Sequence, residues 1–530
     1  MFEKTYRAND VRGQEEELTD EFCQIAAQAY IKLLSKYRKK NPEDIKIGVG
    51  KDVRLSSPRI QRSFIEGAIL SGATVIDLAS SNRATSTPLV YFATWLLDTD
   101  GGVEVTGSHL AKEWNGLKFT IGSASTTEYQ MNEMRDLAYK IKEEGLEKRG
   151  DGKIIKKNVV ADYREMVKLN ALLGRRWADI IKKVKKGDIR LKEAIEIGKN
   201  ETKNKNKTPL EGIKVVFDAG NGTTGLIAPK IFRDLGADVI ELYCEPDGNF
   251  PHHIPDPTIQ RYLEDLKEVV MKNEAHVGLS SDCDGDRVGA VSPRGELLIG
   301  ERILALLIKK ILKENAGAKI VYDIKCSDVI REIILENGGI PIEWKVGFSF
   351  IKDKMEEEGA VAGGEMSGHI YYKKNNGVDD AVFAFIEFLL ILADNKERTL
   401  DQILNELPKY ENTPEIRIPT VNDDEKERIN TEIVNYLKKM AEKYPKKYGI
   451  RNDIDGVKID FKNHKGWVSV RQSNTSPAIS VRAEAKTKDG LKKIENELFP
   501  LFTVYDSLDL NTDDYLREAL ARIKKEANKG

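Results

Sequence analysis

Asp282, Asp284 and Asp286 occupy alternate positions in D-C-D-G-D-R. In an extended loop side chains two residues apart point the same way, so the three carboxylates would converge. Clustered carboxylates repel one another unless a cation sits among them, and all-oxygen ligation by few groups suits Mg²⁺, which wants about six oxygens and keeps some as water. Arg287 follows at once, and a guanidinium beside a cation site is favourable mainly when an anion bridges the two. The loop therefore predicts a metal plus a phosphoryl group. The plainer alternative is an Asp-rich turn. An EF-hand is excluded, because Arg287 stands where that loop needs glycine and Pro293 where it needs its last glutamate.

Three further loops carry unusual polar residues. Ser108, in V-T-G-S-H-L, sits at the tip of a short apolar run. The nucleophile elbow of a serine hydrolase, G-x-S-x-G, is absent, and on an extended chain the adjacent His109 would point away from the serine, making a Ser108–His109 couple weak. A serine near a metal and an arginine can instead carry a phosphoryl group, its charge of about −1.5 to −2 offset by the metal. In R-Q-S-N-T-S-P, Ser473, Asn474, Thr475 and Ser476 offer successive donors, and Arg471 adds a fork that matches a phosphate; such a loop is otherwise just a turn. In G-G-E-M-S-G-H, Glu365 and Ser367 present an acceptor and a donor that could grip vicinal sugar hydroxyls. A helix-cap role for Glu365 and packing of His369 on the tyrosines after it would explain the same residues.

The elements that must position these loops read as α/β. Short Val- and Ile-rich runs at 45–49, 74–78 and 101–106 alternate with helical periodicity at 21–38 and 58–71. A second series starts at Ile213 and reaches His276, and a third begins around Glu301 and includes 319–324 and a helix at 328–336. From about Pro408 a smaller α+β section follows, with a helix near 424–442 and two strands flanking the R-Q-S-N-T-S-P loop. The charged segment 143–207 reads as a helical surface insertion ending in a polar linker. The domains expected are 1–165 with the serine loop, 166–299 with the aspartate loop after an insertion running to about 208, 300–407 with the Glu365 loop, and 408–530 with the Arg471 loop.

A chain of 530 residues is too long for one core. Lys and Arg total 84 against 86 for Asp and Glu, which leaves no global basic field to hold nucleic acid or an anionic membrane. A small-molecule ligand is expected. The scattered cysteines, the lack of a signal-peptide core at the N-terminus and the absence of an apolar run of about 20 residues suggest a soluble, cytoplasmic chain with reduced thiols.

Taken in order, these loops resemble those of the α-D-phosphohexomutases, most closely the bifunctional phosphomannomutase/phosphoglucomutase branch. T-G-S-H with N-G-L-K at 115–118, D-C-D-G-D-R, G-E-M-S-G-H and R-Q-S-N-T-S-P match the family's phosphoserine, metal, sugar and phosphate loops. K-D-V-R-L-S-S-P at Lys51, E-P-D-G-N-F-P at Glu245 and P-D-P at Pro255 match as well. The resemblance implies three α/β domains with mixed sheets and a smaller fourth domain around a central cleft. It also implies transfer of a phosphoryl group between C1 and C6 of a mannose or glucose phosphate, through phosphorylated Ser108 and a hexose 1,6-bisphosphate that also serves as primer.

On this resemblance Mg²⁺ is held by Asp282, Asp284, Asp286 and a Ser108 phosphoryl oxygen. Lys118 and His369 are candidates for proton transfer, with Arg12 and Arg287 as electrostatic supports. Glu365, Ser367, Lys325 and Arg287 bind the sugar phosphate, and Arg471, Ser473, Asn474, Thr475 and Ser476 hold the phosphate that is not being transferred, with the fourth domain closing for each transfer. As a base, Lys118 would need a depressed pKa; otherwise it is a phosphate contact. No nucleic-acid or membrane partner is implied, and a monomer or dimer is expected. Departures from the pattern are Leu110-Ala111 in place of N-P, Asn9 for tyrosine, Cys283 for glycine and Phe348 for histidine. A phosphoglucosamine mutase and a non-catalytic phosphosugar-binding protein are the alternatives.

Overall fold

The computed structural model describes residues 2–79, 83–203, 208–473 and 476–528. By compactness the chain forms two units: Met1–Ile320 with Asn337–Ile340 and Gly347–Glu406, and Val321–Glu336 with Pro341–Val346 and Leu407–Gly530.

In the first unit a mixed sheet runs in the order Asp10–Gln14, Trp114–Ile121, Gly101–Val105, Lys46–Lys51, Thr74–Asp77, Lys153–Lys156, with Ala124–Ser125 beside Trp114–Ile121. Gly101–Val105 is buried throughout, as its glycine- and valine-rich sequence requires of a central strand covered on both faces. It lies parallel to Lys46–Lys51 and antiparallel to Trp114–Ile121, so the chain leaving it at Thr106 must turn at once. A second sheet places Val277–Ser281 parallel to Lys214–Asp218 and antiparallel to Val288–Val291; the aspartate loop is the connection between the antiparallel pair. Ala362–Gly364 and Ile370–Tyr372 form an antiparallel pair whose turn is the Glu365 loop.

The second unit is built on a six-stranded sheet in which Gly466–Gln472 and Ala478–Ala485 pair antiparallel from Gly466↔Ala485 to Gln472↔Ile479. Helices Asp423–Lys443 and Lys488–Leu498 bury Ile429, Ile433, Leu437, Leu491 and Ile494 in its core. The Arg471 loop is the connection of that hairpin.

Segment 143–207 corrects the expectation of a surface insertion. Helices Val160–Leu173, Arg175–Lys186 and Leu191–Thr202 pack together, burying Tyr163, Met166, Leu169, Trp177, Ile180, Ile181, Leu191 and Ile195. Trp177, Ile180 and Ile181 lie on one face at helical spacing, and the basic residues that dominate the composition occupy the other. The expected linker is helical as far as Thr202; 204–207 lie outside the described residues. Residue 165, expected to end the first domain, falls inside the Val160–Leu173 helix.

Two buried polar links join this helix to Ala381–Ala393 and its cap. Tyr163 Oη donates to Asp380, and Asn170 Nδ2 donates to Glu387 Oε1 at 2.6 Å. Glu387 also accepts from Lys374 at 2.6 Å and from Lys310. Burial works against its charge, but the two ammonium groups hold its pKa down at about 2. A carboxyl whose folded pKa lies below its unfolded value stabilises fully above the unfolded value and loses that contribution as pH falls through the folded one. Glu387→Gln should therefore lower the unfolding free energy by about 3 kcal/mol at neutral pH. In urea titrations the gap between the proteins should narrow below about pH 4.5; a gap that is constant with pH would disprove the ion-pair account.

All four cysteines are buried thiols. Among the described residues no helix is long and apolar enough to cross a membrane.

Candidate active site

Beyond Val105 the chain turns at Ser108, whose φ is 49°, in the left-handed region that residues other than glycine rarely enter. This turn corrects the expectation of an extended chain around Ser108. It brings His109 Nδ1 to 3.3 Å from Ser108 Oγ, so the imidazole is a neighbour of the serine after all. The turn is held by Arg54, 1% exposed. Its Nη2 donates to the carbonyls of Ser108 and Leu110, each at 2.7 Å. Its Nη1 donates to those of Ala111 at 2.6 Å and Trp114 at 2.9 Å. Asp52 pairs with Arg54 Nε at 3.0 Å and accepts the Gly107 N–H at 3.3 Å. A Cβ at Gly107 would lie 2.4 Å from Arg54 Cζ, so the arginine fits only over glycine.

Ser108 Oγ donates to Asp282 Oδ2 at 2.9 Å. The aspartate carboxylates do converge, with ligand oxygens within 4.8 Å of one another, but through a turn at Gly285, φ 76°, and not through the extended loop expected. Asp282 Oδ1 accepts the N–H groups of Gly285, Asp286 and Arg287, each at 3.1 Å, and so ties its own loop into a ring of donors. Asp284 Oδ2 accepts from Thr87 Oγ1 at 2.6 Å and Lys118 Nζ at 2.7 Å, and Lys118 also donates to Asp286 Oδ2. Burial, then repulsion from Asp286 and Asp284, pushes the Asp282 pKa well up. Burial acts on Asp284 in the same sense, but Lys118 and the Thr87 hydroxyl hold it below the usual carboxylate range. Asp284 Oδ1 and Asp286 Oδ1 are buried and have no hydrogen-bond partner among the described residues. Three carboxylates with two orphaned oxygens form a donor set that fits a hard metal ion.

Lys118 lies on Trp114–Ile121 opposite Glu104 and Asp10. Burial opposes its charge, yet Asp284 and Asp286 outweigh it and raise the pKa, the reverse of what a proton acceptor needs. Its geometry fits a permanent cation. Arg12 donates to Asp10 at 2.8 Å and to the Thr106 carbonyl beside the serine turn.

The Glu365 loop is joined to the aspartate loop by a bridge between Arg287 and His369. Gly368, φ 94°, lies so close to Val288 that a Cβ would approach its carbonyl oxygen to 2.6 Å. Arg287 Nε donates to His369 Nε2 at 3.0 Å, and His369 Nδ1 meets Asp379 Oδ2 at 2.7 Å. Burial and Arg287 disfavour protonation of the ring, whereas Asp286 and Asp379 raise its pKa overall. The hydrogen bond decides its state here: Arg287 can donate to Nε2 only while that nitrogen is bare, so the ring is neutral with its proton on Nδ1. Buried Glu365 accepts from Tyr371 Oη at 2.8 Å, and Ser367 is half-buried beside it. Asn9 accepts from Ser349 Oγ at 2.6 Å, next to Phe348, so two departures from the family pattern adjoin each other.

In the second unit Arg471 Nε donates to Asp455 at 2.9 Å and Ser473 Oγ lies 3.1 Å from Ser476 Oγ. Asn474 and Thr475 lie outside the described residues. Lys325, also of this unit, pairs with Glu415 at 3.1 Å. Thr87, Asp379 and Arg54 were not expected in the site. Each had a sequence signal, the caps T-S-T-P and D-D at the starts of apolar helices and, for Arg54, the matching stretch K-D-V-R-L-S-S-P, but none of these assigned the residue to the site.

Four domain families match the chain. They are the Phosphoglucomutase/phosphomannomutase alpha/beta/alpha domains I at 3–144, II at 193–295 and III at 299–410, and the C-terminal domain at 415–501. The chain is 34% identical over 452 residues to a phosphomannomutase/phosphoglucomutase of Pseudomonas aeruginosa, covering 85% of each. It is 30% identical over 509 residues to a phosphomannomutase of Methanocaldococcus jannaschii, covering 95% of this chain and 98% of the relative. A crystal structure of a family protein from Burkholderia thailandensis superposes with a TM-score of 0.76 at 28% identity, over 94% of this chain and 97% of that one.

Proposed function

The chain belongs to the phosphoglucomutase/phosphomannomutase family and is a phosphohexomutase, and from that premise we propose that Ser108 carries the phosphoryl group it moves between C1 and C6 of a hexose phosphate. Phosphorylated Ser108 donates its group to the free hydroxyl of the sugar, giving a 1,6-bisphosphate, and takes the other group back after the intermediate turns over. The observation that carries this reading is Ser108 Oγ bonded to Asp282 at 2.9 Å, at the edge of a buried carboxylate group in which two oxygens accept no hydrogen bond among the described residues.

Asp282, Asp284 and Asp286 would hold Mg²⁺, which when bound supplies charge neutralisation for the phosphoryl oxygens. Lys118 and Arg12 contribute fixed positive charge beside the serine. Arg287 binds a phosphoryl oxygen by turning its guanidinium from His369, which frees the lone pair of Nε2; His369, held in orientation by Asp379, then takes the proton of the attacking sugar hydroxyl, and the Ser108 oxygen gains a proton as its bond to phosphorus breaks, to give it up again when the other group returns. Glu365 and Ser367 bind sugar hydroxyls. Lys325 joins them in binding the sugar phosphate, and Arg471, Ser473, Asn474, Thr475 and Ser476 bind the phosphate that stays in place. Domain boundaries are placed at 299/300 and 407/408, with the first boundary ahead of the helix Val160–Leu173.

The test is to supply hexose 1,6-bisphosphate with Mg²⁺, digest the protein and locate the phosphate, then assay glucose, mannose and glucosamine 1-phosphates with the primer present. Phosphate on Ser108 and turnover of glucose and mannose phosphates support the reading. Phosphate elsewhere, or turnover of glucosamine phosphate alone, overturns it.

A further inference from the structure

Residues 145–192 lie between the stretches matched by domains I and II, and the helix Val160–Leu173 is within them. One side chain of that helix reaches the start of the Ala381–Ala393 helix. Tyr163, 1% exposed, donates its hydroxyl to both oxygens of Asp380, at 2.8 and 2.9 Å. Asp380 caps the Ala381–Ala393 helix by accepting the Phe383 N–H at 3.0 Å, and it accepts from Asn375 Nδ2 at 3.0 Å. Burial raises its pKa to about 6, and these donors favour its charged form against that cost.

The neighbours of Asp380 on either side touch the two loops assigned to chemistry. Asp379 holds His369 Nδ1 at 2.7 Å, and the Ala381 N–H donates to the carbonyl of Gly285, in the aspartate turn, at 3.1 Å. Fixing Asp380 therefore fixes both loops at one backbone joint. The ring of Tyr163 also stands edge-on to Phe92, centroids 5.5 Å apart, in the helix Thr87–Leu97, whose first hydroxyl donates to Asp284. A single tyrosine thus braces two helices whose starts both face the carboxylate group.

We propose that Tyr163 is a positioning residue for phosphoryl transfer, acting through Asp380 to hold Asp379, His369 and the aspartate turn in mutual register. The proposal rests on the roles assigned above to His369 and the carboxylates. The Tyr163 hydroxyl bonds to Asp380, which is not among the groups assigned to the sugar, so its effect should fall on the rate of transfer and leave ground-state binding almost untouched.

Tyr163→Phe keeps the ring packing and removes the two hydroxyl contacts. The expected result is a fall in kcat of about tenfold, within the range that small misplacements of catalytic groups produce, with KM for the hexose 1-phosphate within about twofold. In ¹⁵N-labelled protein the ring signals of His369 should shift, while those of His464, which pairs with Glu497 in the second unit, stay in place. Asp380→Ala cuts the same link from the other side, and the double variant should be no slower than Asp380→Ala alone. The single Asp380→Ala variant carries the kcat and NMR readouts if Tyr163→Phe folds poorly. Unchanged kcat with unmoved His369 signals, or losses that simply add in the double variant, overturns the proposal. If Ser108→Ala were fully active instead, the functional reading would fail first, and the two failures are told apart by that control.

Discussion

Ser108→Ala is expected to remove mutase activity by on the order of 10⁴-fold or more, the scale of loss when a covalent nucleophile is deleted. The fold should survive. Arg54 holds the turn through backbone carbonyls, and the Ser108 N–H keeps its bond to Thr106 Oγ1 at 2.8 Å. The lost hydroxyl takes one hydrogen bond from Asp282, worth about 1 kcal/mol, so thermal unfolding should move by a few degrees at most. Hexose phosphate should still bind, because its recognition is assigned to other loops. The protein should no longer retain phosphate after exposure to the bisphosphate, which intact-mass measurement would read directly. Full turnover by the alanine variant would falsify the phosphoserine mechanism.

Asp282→Asn should separate stability from activity. Asp282 is fully buried, and Asp284 and Asp286 raise its pKa further, so at neutral pH its charge costs folding free energy. A group whose folded pKa is raised favours folding below its unfolded pKa and loses that advantage as pH rises through the folded value. Asparagine keeps an oxygen for the three backbone N–H groups of its own loop and removes one charge. In chelator, Asp282→Asn should be more stable than the parent by about 1–3 kcal/mol near neutral pH. The difference should fade below about pH 4, where aspartate is protonated in the unfolded chain too. In excess Mg²⁺ the order should reverse, because binding to the folded state stabilises only a protein that retains its ligands. Activity should fall about 10²–10³-fold, as when transition-state charge loses its stabilising partner. A variant less stable in chelator, with an unaltered response to Mg²⁺, would sink this account.

The chemistry of the site was legible because its residue types are unusual in combination: three aspartates at alternate positions followed by Arg287, and donors clustered between two strands. The alternation of apolar runs and helical periods was enough to place the loops at strand ends. The backbone between the aspartates was not legible. Gly285 takes φ 76°, and one positive φ replaces an extended loop by a turn while still gathering the carboxylates. Ser108 escaped in the same way, since no local pattern announces a serine with φ 49°, and with it went the placement of His109. The direction of the Lys118 shift depends on Asp284 and Asp286, more than 160 residues away in the chain, a distance over which sequence says nothing about charge. The packing of segment 143–207 is hidden in the sequence because lysines and glutamates are interspersed among the apolar residues that decide it. Trp177, Ile180 and Ile181 carry that information at the right spacing.

The grip of Arg54 on the serine turn has a bearing on how freely this loop can drift. All four groups it binds are main-chain carbonyls, those of Ser108, Leu110, Ala111 and Trp114, and every amino acid supplies one. The side chains at 110 and 111 therefore add nothing to the clamp, and Leu110-Ala111 can stand in place of an asparagine and a proline without releasing the serine from Asp282. Replacement is constrained instead at Gly107, where any side chain meets the guanidinium, and at Arg54, because a lysine lacks the fork needed to reach four acceptors. Within this loop, variation should accumulate after the serine and stop abruptly before it.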